Sequence, residues 1–287
     1  MAISHVIRGE DHIANTAKQL LLYGALGLPA PVFAHTPLIL NGEGRKLSKR
    51  DGVTSLSDFR DLGYTADALA NYMTLLGWSP PEGMGERFCL AEAAAVFSFE
   101  RVNRAGARFD WDKLNWLNAQ VLHGLPAEQL LALLAPRWQA QGWSSPSGDV
   151  TWELELTALL GPSLVTLQDG VEQARPFFER PSLNDEARLQ IESEGAKPAL
   201  AAVLQALEQA DPGQPASNSL PASNSLAADQ ARALLGEAAK TAGMKKGVVM
   251  KSLRAALLGS LQGPDLVATL LLLQPSGEAI ARLQRCL

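Results

Sequence analysis

Strand-forming sequence almost disappears after residue 56 of this 287-residue chain. Residues 3–7 and 32–40 are short, rich in β-branched side chains and bounded by Gly or Pro, as strands are. Between them apolar residues recur at helical spacing, and the helix that they predict has Asn15 or Thr16 as its N-cap and ends at Gly27. This order predicts two parallel strands joined by a helical crossover.

One strand–helix–strand unit does not complete a parallel sheet. Parallel sheets are covered on both faces and therefore contain more than two strands. The first predicted strand begins close to Met1, so the chain supplies no further strand before it. We therefore expect the unit to be part of a larger α/β domain whose first half this chain lacks.

Amphipathic helical patterns follow one another from residue 56 to the end. The clearest helical segments are Ala66–Leu76, Leu114–Leu122, Glu128–Gln139, Trp152–Leu160, Lys197–Glu208, Asp229–Ala239 and Lys245–Leu258. A perfect tandem repeat, PASNSL, occupies residues 215–226. Because a Pro-, Ser- and Asn-rich stretch cannot form a core, we predict a flexible surface insertion over residues 211–226.

Cysteine content and hydropathy indicate a soluble, cytoplasmic protein without a metal centre. Cys89 and Cys286 lie far apart, with no thiol or histidine at metal-ligand spacing, so we predict neither a disulfide framework nor a zinc site. The most apolar run, residues 266–273, is much shorter than the roughly 18 residues that a membrane span needs. We expect no membrane association.

Positive charge is concentrated in one C-terminal segment although the net charge is −5. This basic stripe contains six cations against the single acid Glu237: Arg232, Lys240, Lys245, Lys246, Lys251 and Arg254. A local stripe of this kind is typical of nucleic-acid contacts, because binding depends on where the charge lies. On charge alone, the favoured interpretation is an ordinary solvated helix face in which the cations cluster by chance.

The segment HVIRGEDH, residues 5–12, is the first candidate for a functional site. Arg8 lies at the carboxyl end of the first predicted strand, where open α/β sheets place their ligand crevice. A guanidinium there can hold a carboxylate with two parallel hydrogen bonds. The alternative is a surface ion pair between Arg8 and Glu10 or Asp11.

The second candidate is RKLSKRDG, residues 45–52, which follows a glycine-rich approach. Lys46, Lys49 and Arg50 lie in a loop that could close over a triphosphate and place ammonium charge where negative charge develops. It is not a Walker loop, because no Gly-Lys-Ser/Thr ends it. The alternative is a solvated basic turn.

Together, in this order and spacing, the two segments resemble the second half of the class I catalytic domain of bacterial-type glutamyl-tRNA synthetases. The resemblance runs through HVIRGEDH, NTAKQLLLYGALG, FAHTPLIL and KLSKRDG, and continues in ALANYMTLLGWS, FERVNRAGARFDWDKLNWLN and GVVMKSLRAALLGSLQGPDL. Only residues 126–226 match loosely. The family's other signature, His-x-Gly-His, is absent, so we expect the chain to hold about half of an active site.

The resemblance implies a role for each residue of the two segments. Arg8 would bind the carboxylate of glutamate, and Asp11, Ile39 and Lys49 would contact ATP. Lys49 and Lys46 would be the catalytic cations. The signature loop comprises Lys46, Leu47, Ser48, Lys49 and Arg50.

The reaction that the resemblance implies is ATP-dependent activation of glutamate, followed by transfer to the 3′ end of tRNA. Magnesium would accompany ATP, and the partner would be tRNA(Glu), with tRNA(Gln) left open. Activation in this family requires tRNA. We expect a monomer.

The resemblance also implies a domain order. We predict an α/β remnant of a Rossmann-like catalytic domain over residues 1–55, followed by a mostly α-helical stem-contact domain over 56–120. Two helical anticodon-binding domains would span 121–178 and 179–287. RNA contacts are then assigned to five residues of the basic stripe: Arg232, Lys245, Lys246, Lys251 and Arg254.

Two functions remain open for the chain. It is either a portion of a glutamate–tRNA ligase that needs the missing N-terminal half, or a non-catalytic tRNA-binding module derived from one. Retention of Arg8 and KLSKR favours the ligase. Five tryptophans could stack on RNA bases, although tryptophan at helical spacing is more often core: Trp111, Trp116, Trp138, Trp143 and Trp152.

Overall fold

The computed structural model describes residues 2–47, 55–146, 148–210 and 224–287. Two compact units divide the chain, Met1–Gly124 and Leu125–Leu287. The first contains both described strands and the second is helical. The finer division into four domains stays a prediction.

The first unit opens with the predicted strand–helix–strand arrangement. β1 (His5–Gly9) and β2 (Val32–Thr36) pair in parallel, and α1 (Ile13–Ala25) connects them. Three boundaries differ from prediction, since β1 also ends two residues later than predicted, at Gly9. β2 ends at Thr36, because the following proline has no N–H for the ladder. β1 begins two residues late, because His5 is the residue that pairs with the first residue of β2.

The predicted N-cap of α1 is wrong. A 3₁₀ turn, Glu10–His12, runs directly into the helix, so that the helix begins at Ile13 with His12 at the cap position. Thr16 therefore lies inside the helix, where its hydroxyl donates to the His12 carbonyl oxygen. Thr and Ser side chains often make this bond to the residue four positions earlier.

The rest of the first unit is helical. Its helices are α2 (Leu56–Asp61), α3 (Ala66–Gly77), α4 (Leu90–Val96) and α5 (Trp111–His123). Three of them begin at side-chain caps, supplied by Ser55, Thr65 and Asp110. The core beneath them is an aromatic and leucine cluster: Phe59, Tyr72, Phe109, Leu114 and Leu117.

The second unit contains nine α-helices among its described residues. They are α6 (Ala127–Ala140), α7 (Val150–Leu160), α8 (Leu167–Phe178), α9 (Asp185–Glu192), α10 (Ala196–Ala210), α11 (Asn224–Thr241), α12 (Lys246–Leu258), α13 (Leu266–Leu273) and α14 (Glu278–Cys286). Each predicted helical segment lies within an observed helix, except that Lys245 is the N-cap of α12. Most of the predicted insertion, residues 211–223, lies outside the described residues. Residues 224–226 are helical, which corrects that prediction at its C-terminal end.

The core of the second unit contains three of the six tryptophans. Trp138, Trp143 and Trp152 are buried around Phe178, and the indole nitrogens of Trp138 and Trp152 donate to backbone carbonyls. Such side chains cannot stack on bases without unfolding the unit. Trp116, on α5 of the first unit, is different, because 44% of it is exposed.

A charged network fastens the C-terminal helix of the second unit. The buried Arg282 guanidinium donates to the Leu257 carbonyl oxygen at 2.6 Å and to the Glu278 carboxylate at 3.2 Å. Arg180 also donates to Glu278, at 2.8 Å. α12 ends at Leu258, and its C-cap residue Gly259 has φ +68°. A side chain at Gly259 would collide with the Ser182 carbonyl oxygen, so only glycine fits.

No described helix is by itself long and apolar enough to cross a membrane. Leu266–Leu273 and Glu278–Cys286 pass that test only as a pair, by length and composition, and they are bent by 109° relative to each other.

Candidate active site

The candidate site lies at the carboxyl ends of β1 and β2. Register pairs Arg8 with His35 and Gly9 with Thr36, so that neighbouring residues on the two strands share a face of the sheet. Because both strands run in the same direction, their carboxyl ends meet at one edge. Ligands bind outside this edge in open α/β sheets.

Arg8 points toward α1 and is held there by neutral partners. Its Nη2 donates to Thr16 Oγ1 at 2.6 Å and to Gln19 Oε1 at 2.8 Å. The guanidinium carbon also lies 5.2 Å from the centre of the Phe33 ring. Nε is buried and has no hydrogen-bond partner among the described residues. The guanidinium therefore keeps donor capacity for a ligand.

The alternative sequence interpretation, an ion pair between Arg8 and Glu10 or Asp11, is wrong. Within the described ranges, no carboxylate forms an ion pair with Arg8. Glu10 instead accepts from the Leu38 backbone N–H at 3.3 Å. Asp11 pairs with a lysine of the signature loop.

Asp11 and Lys46 join the turn after β1 to that loop. Lys46 Nζ lies 2.7 Å from Asp11 Oδ2. This hydrogen bond, with the attraction of the ammonium charge, lowers the pKa of the Asp11 carboxyl below its ordinary value. The Lys46 side chain is 62% exposed and that of Asp11 38%, so water and salt weaken the pair. An incoming phosphate can compete for the lysine.

A short hairpin anchors the beginning of the signature loop. The Leu47 N–H donates to the Ile39 carbonyl oxygen at 2.9 Å, and the Asn41 N–H donates to the Arg45 carbonyl oxygen at 2.7 Å. The Leu40 N–H donates in turn to the Ala107 carbonyl oxygen at 2.8 Å. Ile39 and Leu47 pack on the core cluster of the first unit. The base of the loop is therefore fixed to the scaffold.

The structure thus brings two of the residues predicted to contact ATP, Asp11 and Ile39, together with Lys46, which was predicted as a catalytic cation. Asp11 contacts Lys46 through its side chain, and Ile39 is bonded to the residue after Lys46. Arg8 faces α1 and is separate from this cluster. The remaining residues of the signature loop, Ser48, Lys49 and Arg50, lie outside the described residues.

Three residues around Arg8 were not predicted to have a role at the site. Thr16 and Gln19 are three residues apart on α1 and so share one helix face. His35 bonds to the Thr16 hydroxyl through Nε2 at 2.8 Å. The helical spacing of Thr16 and Gln19 was visible in the sequence. His35 could not be assigned without the strand register.

The opposite face of the sheet is apolar and open. Ile7 and Val32 are each 61% exposed. A cavity of 670 Å³ beside them is lined mainly by apolar side chains, including Ile7, Leu38, Met73, Trp78 and Phe97. Parallel sheets are normally covered on both faces, so this surface is suited to packing against further polypeptide.

The basic stripe divides into cations that already have partners, namely Arg232, Lys240 and Arg254, and lysines with no carboxylate partner among the described residues. Arg232 pairs with Asp229, and the Arg254 guanidinium donates to the Gly263 and Pro264 carbonyl oxygens at 2.9 and 2.7 Å. Lys245, Lys246 and Lys251 are exposed, and no carboxylate pairs with them in the described part of the chain. Two of these lysines stand at the N-terminus of α12, where the helix dipole disfavours cations.

Comparison with protein families covers nearly the whole chain. Residues 1–116 match the model described as tRNA synthetases class I (E and Q), catalytic domain. Residues 129–287 match the model described as anticodon binding domain. These matches confirm the predicted fold class, a class I catalytic remnant followed by helical domains.

Individual relatives agree with the family match. Proteins named glutamate–tRNA ligase from Parasynechococcus marenigrum (strain WH8102) and Synechococcus sp. (strain CC9605) are 68% and 66% identical to this chain over all 287 residues. The chain covers 58% of the length of each.

A solved structure agrees as well. The crystal structure of a glutamate tRNA ligase from Elizabethkingia meningosepticum, in complex with its amino acid, matches with a TM-score of 0.77 at 29% identity, over 99% of this chain and 57% of that chain. The parallel strand pair with Arg8 at its carboxyl edge, the hydrogen-bonded start of the KLSKR segment at Lys46 and Leu47, and these matches lead to one assignment. The chain belongs to the glutamate–tRNA ligase family of class I tRNA synthetases.

Proposed function

We propose that this chain is the portion of a glutamate–tRNA ligase that supplies one side of the glutamate and ATP sites together with the tRNA-binding helices. The observation that carries the proposal is the state of Arg8. It lies at the carboxyl edge of a parallel sheet, its positive charge is not neutralised by a described carboxylate, and its buried Nε has no hydrogen-bond partner among the described residues. A carboxylate ligand would satisfy both the charge and the hydrogen bond.

The chemistry of the first reaction step indicates which of the two carboxylates of glutamate Arg8 binds. The α-carboxylate oxygen attacks the α-phosphorus of ATP, the bond to the β-phosphate breaks, and pyrophosphate leaves. The α-carboxylate must therefore stay available to phosphorus, so Arg8 suits the side-chain carboxylate. A guanidinium fork binds such a group with two parallel hydrogen bonds.

Asp11, Ile39 and Lys46 are proposed to form the ATP side of the site. Asp11 is a ready acceptor for hydroxyl or amino groups of the nucleotide, because an ionised carboxylate only accepts hydrogen bonds and the lowered pKa of Asp11 favours that form. Lys46 is held within reach by Asp11 and can exchange this exposed ion pair for phosphate oxygens. Lys49, proposed as the catalytic cation, would oppose the charge that develops on the departing pyrophosphate.

The second step would place tRNA across the helical part of the chain. The 3′-terminal adenosine hydroxyl attacks the glutamyl carbonyl carbon, and AMP leaves. Lys245, Lys246 and Lys251 are proposed to neutralise tRNA phosphates, because they are exposed and have no described acidic partner. Arg232 and Arg254 already have partners within the fold, so we expect smaller contributions from them.

The proposed site is shared with polypeptide that this chain does not contain. The exposed apolar face around Ile7 and Val32 supports this, because such a surface is costly in water. We propose that the remaining part of a full-length ligase covers it and completes the ATP and glutamate contacts. We propose a cytoplasmic location and tRNA(Glu) as the RNA partner.

A chimera tests the proposal directly. This chain would replace the 287 matched residues of the Parasynechococcus marenigrum ligase. With tRNA present, the chimera should catalyse glutamate-dependent exchange of pyrophosphate into ATP, whereas the chain alone should not exceed a control without protein.

The possible results separate the two functions. A folded chimera without exchange activity would refute the ligase assignment and favour a non-catalytic tRNA-binding module. Exchange by the chain alone would refute the requirement for further polypeptide.

A further inference from the structure

The surroundings of Arg8 are unusual in their charge. The two side chains that accept its hydrogen bonds, Thr16 and Gln19, are both neutral. Arginines with limited exposure are commonly paired with carboxylates, because an unpaired buried charge is costly. The described residues offer Arg8 no such partner, although Glu10 and Asp11 are only two and three positions away.

From this arrangement we propose that Thr16 and Gln19 are positioning residues that determine specificity for a carboxylate ligand. They hold one nitrogen of the guanidinium by neutral acceptors and leave its full positive charge for the substrate. The inference rests on the proposed function and deepens it. Neither residue touches the substrate in this scheme, since both act through Arg8.

Thr16 and Gln19 form a neutral cradle for the Arg8 guanidinium, and side chains of β2 support this cradle. His35 Nε2 lies 2.8 Å from Thr16 Oγ1, and Thr16 is buried. The Phe33 ring lies 5.2 Å from the guanidinium carbon and favours the cation through its π-face. Arg8 is therefore fixed from the helix and from the neighbouring strand, and a fixed guanidinium loses less freedom when it binds a ligand.

Neutral acceptors have a direct consequence for selectivity. An uncompensated guanidinium attracts the carboxylate of glutamate much more than the amide of glutamine. A carboxylate at position 19 would satisfy the same hydrogen bond but cancel the charge. The substitution Gln19→Glu therefore separates charge from geometry, because the two side chains have nearly the same shape.

The chimera provides the kinetic test. Gln19→Glu should raise KM for glutamate by about thirtyfold, at the low end of the cost of losing one partner of a close charge pair. kcat should change by no more than about twofold, because the lost interaction is made in ground and transition states alike. The ratio of kcat/KM for glutamate over glutamine should fall in parallel.

Asn15→Asp is the matched control, since it makes the same change of shape and charge on the same helix. The Asn15 side chain contacts His12 and not Arg8. KM for glutamate should be unchanged in this variant. If both variants raise KM for glutamate equally, the long-range effect of an added negative charge explains the result, and the proposed role of Gln19 is refuted.

A second measurement uses the 287-residue chain itself. In Gln19→Glu protein labelled with ¹³C-glutamate, the new carboxyl should titrate below the ordinary Glu pKa, because Arg8 would pair with it. A carboxyl that titrates at the ordinary value would overturn the contact.

Substitutions at Thr16 supply a further readout. Thr16→Val removes an acceptor of Arg8 and should raise KM for glutamate, and Thr16→Ser should restore it.

The outcomes distinguish the two claims. An inactive unmodified chimera would refute the proposed function, while the titration would still test the cradle. An active chimera in which Gln19→Glu leaves KM and selectivity unchanged would refute the inference alone.

Discussion

Replacing Glu278 by glutamine should destabilise the second unit more than replacing its buried partner, Arg282, by methionine. Arg282 is only 1% exposed and donates to Glu278, to the Leu257 carbonyl oxygen and to the Glu179 carbonyl oxygen. The change to glutamine keeps the shape but removes the only ionic partner that Arg282 has among the described residues. Arg180 loses its partner as well, but it is exposed and can be solvated.

The pKa shifts of the two groups indicate where the cost lies. Hydrogen bonds from Arg180, and then from Arg282, lower the pKa of Glu278. Burial is the largest cause that lowers the pKa of Arg282, and with the nearby charges of Arg180 and Arg285 it outweighs the opposing effect of Glu278. The carboxylate therefore compensates the buried arginine only in part, as is common for buried ion pairs.

The expected magnitude follows from that imbalance. Removing one partner of a buried pair costs about 3–5 kcal/mol, because the remaining charge is uncompensated. Glu278 is 26% exposed, so water screens part of the interaction and the low end applies. We expect Glu278→Gln to cost about 3 kcal/mol, on the order of a hundredfold in the opening equilibrium of α12 and α14.

Arg282→Met is the contrasting variant. It removes the buried charge, fills similar volume and leaves Glu278 with Arg180. The lost bonds to backbone carbonyls should cost about 1–2 kcal/mol. In the double variant, Glu278→Gln should add little to the stability cost of Arg282→Met, because the buried Arg282 charge that it would leave unpaired is no longer present.

Native-state hydrogen exchange with mass spectrometry measures these effects within the intact chain. It resolves the amides of α12 and α14, so unfolding of the first unit does not obscure the result. The reasoning is refuted if Arg282→Met destabilises these helices as much as Glu278→Gln, or if the double variant shows the full sum of the two costs.

The remaining predictions concern pH, catalysis and RNA binding. Because Glu278 has a lowered folded-state pKa, its contribution to stability is present above the ordinary Glu pKa of about 4.3 and is lost as pH falls through the lower folded value. The free energy of unfolding should therefore fall less steeply with decreasing pH in Glu278→Gln than in the unsubstituted chain. In the chimera, Arg8→Ala should mainly raise KM for glutamate, and Lys49→Ala should mainly lower kcat, by about a hundredfold; steady-state kinetics would contradict these roles if only KM changed in the second variant. Lys246→Gln should weaken tRNA binding and reduce by about one the slope of log affinity against log salt concentration. Lys197→Gln is the control and should change neither, because the Lys197 ammonium donates to the Leu287 carbonyl oxygen.

Local sequence patterns predicted most of the secondary structure. Apolar periodicity located the helices to within a few residues at either end, because an amphipathic face repeats every 3.6 residues whatever it packs against. The predicted ends of strands and helices were wrong where an adjacent residue or turn set the boundary. Pro37 ended β2 early, and the 3₁₀ turn before Ile13 moved the start of α1.

The chemistry of the site was only partly visible in the sequence. HVIRGEDH and KLSKRDG indicated Arg8, Asp11 and Lys46, and the structure placed the last two 2.7 Å apart. The sequence could not say which partners Arg8 takes, because nearby acids and distant neutral residues compete for one guanidinium. Strand register and the position of α1 resolve that competition in favour of Thr16 and Gln19.

Tryptophans and cations also show which properties the sequence determines and which depend on tertiary contacts. By itself the sequence determined the class of the protein, its order of strands and helices, and the residues able to bind a carboxylate or a phosphate. Only the tertiary structure decided that Trp138 is core while Trp116 is exposed, and that Arg254 binds its own backbone while Lys246 faces water. The physical reason is that burial and charge pairing depend on residues far apart in the chain, whose contacts no local pattern records.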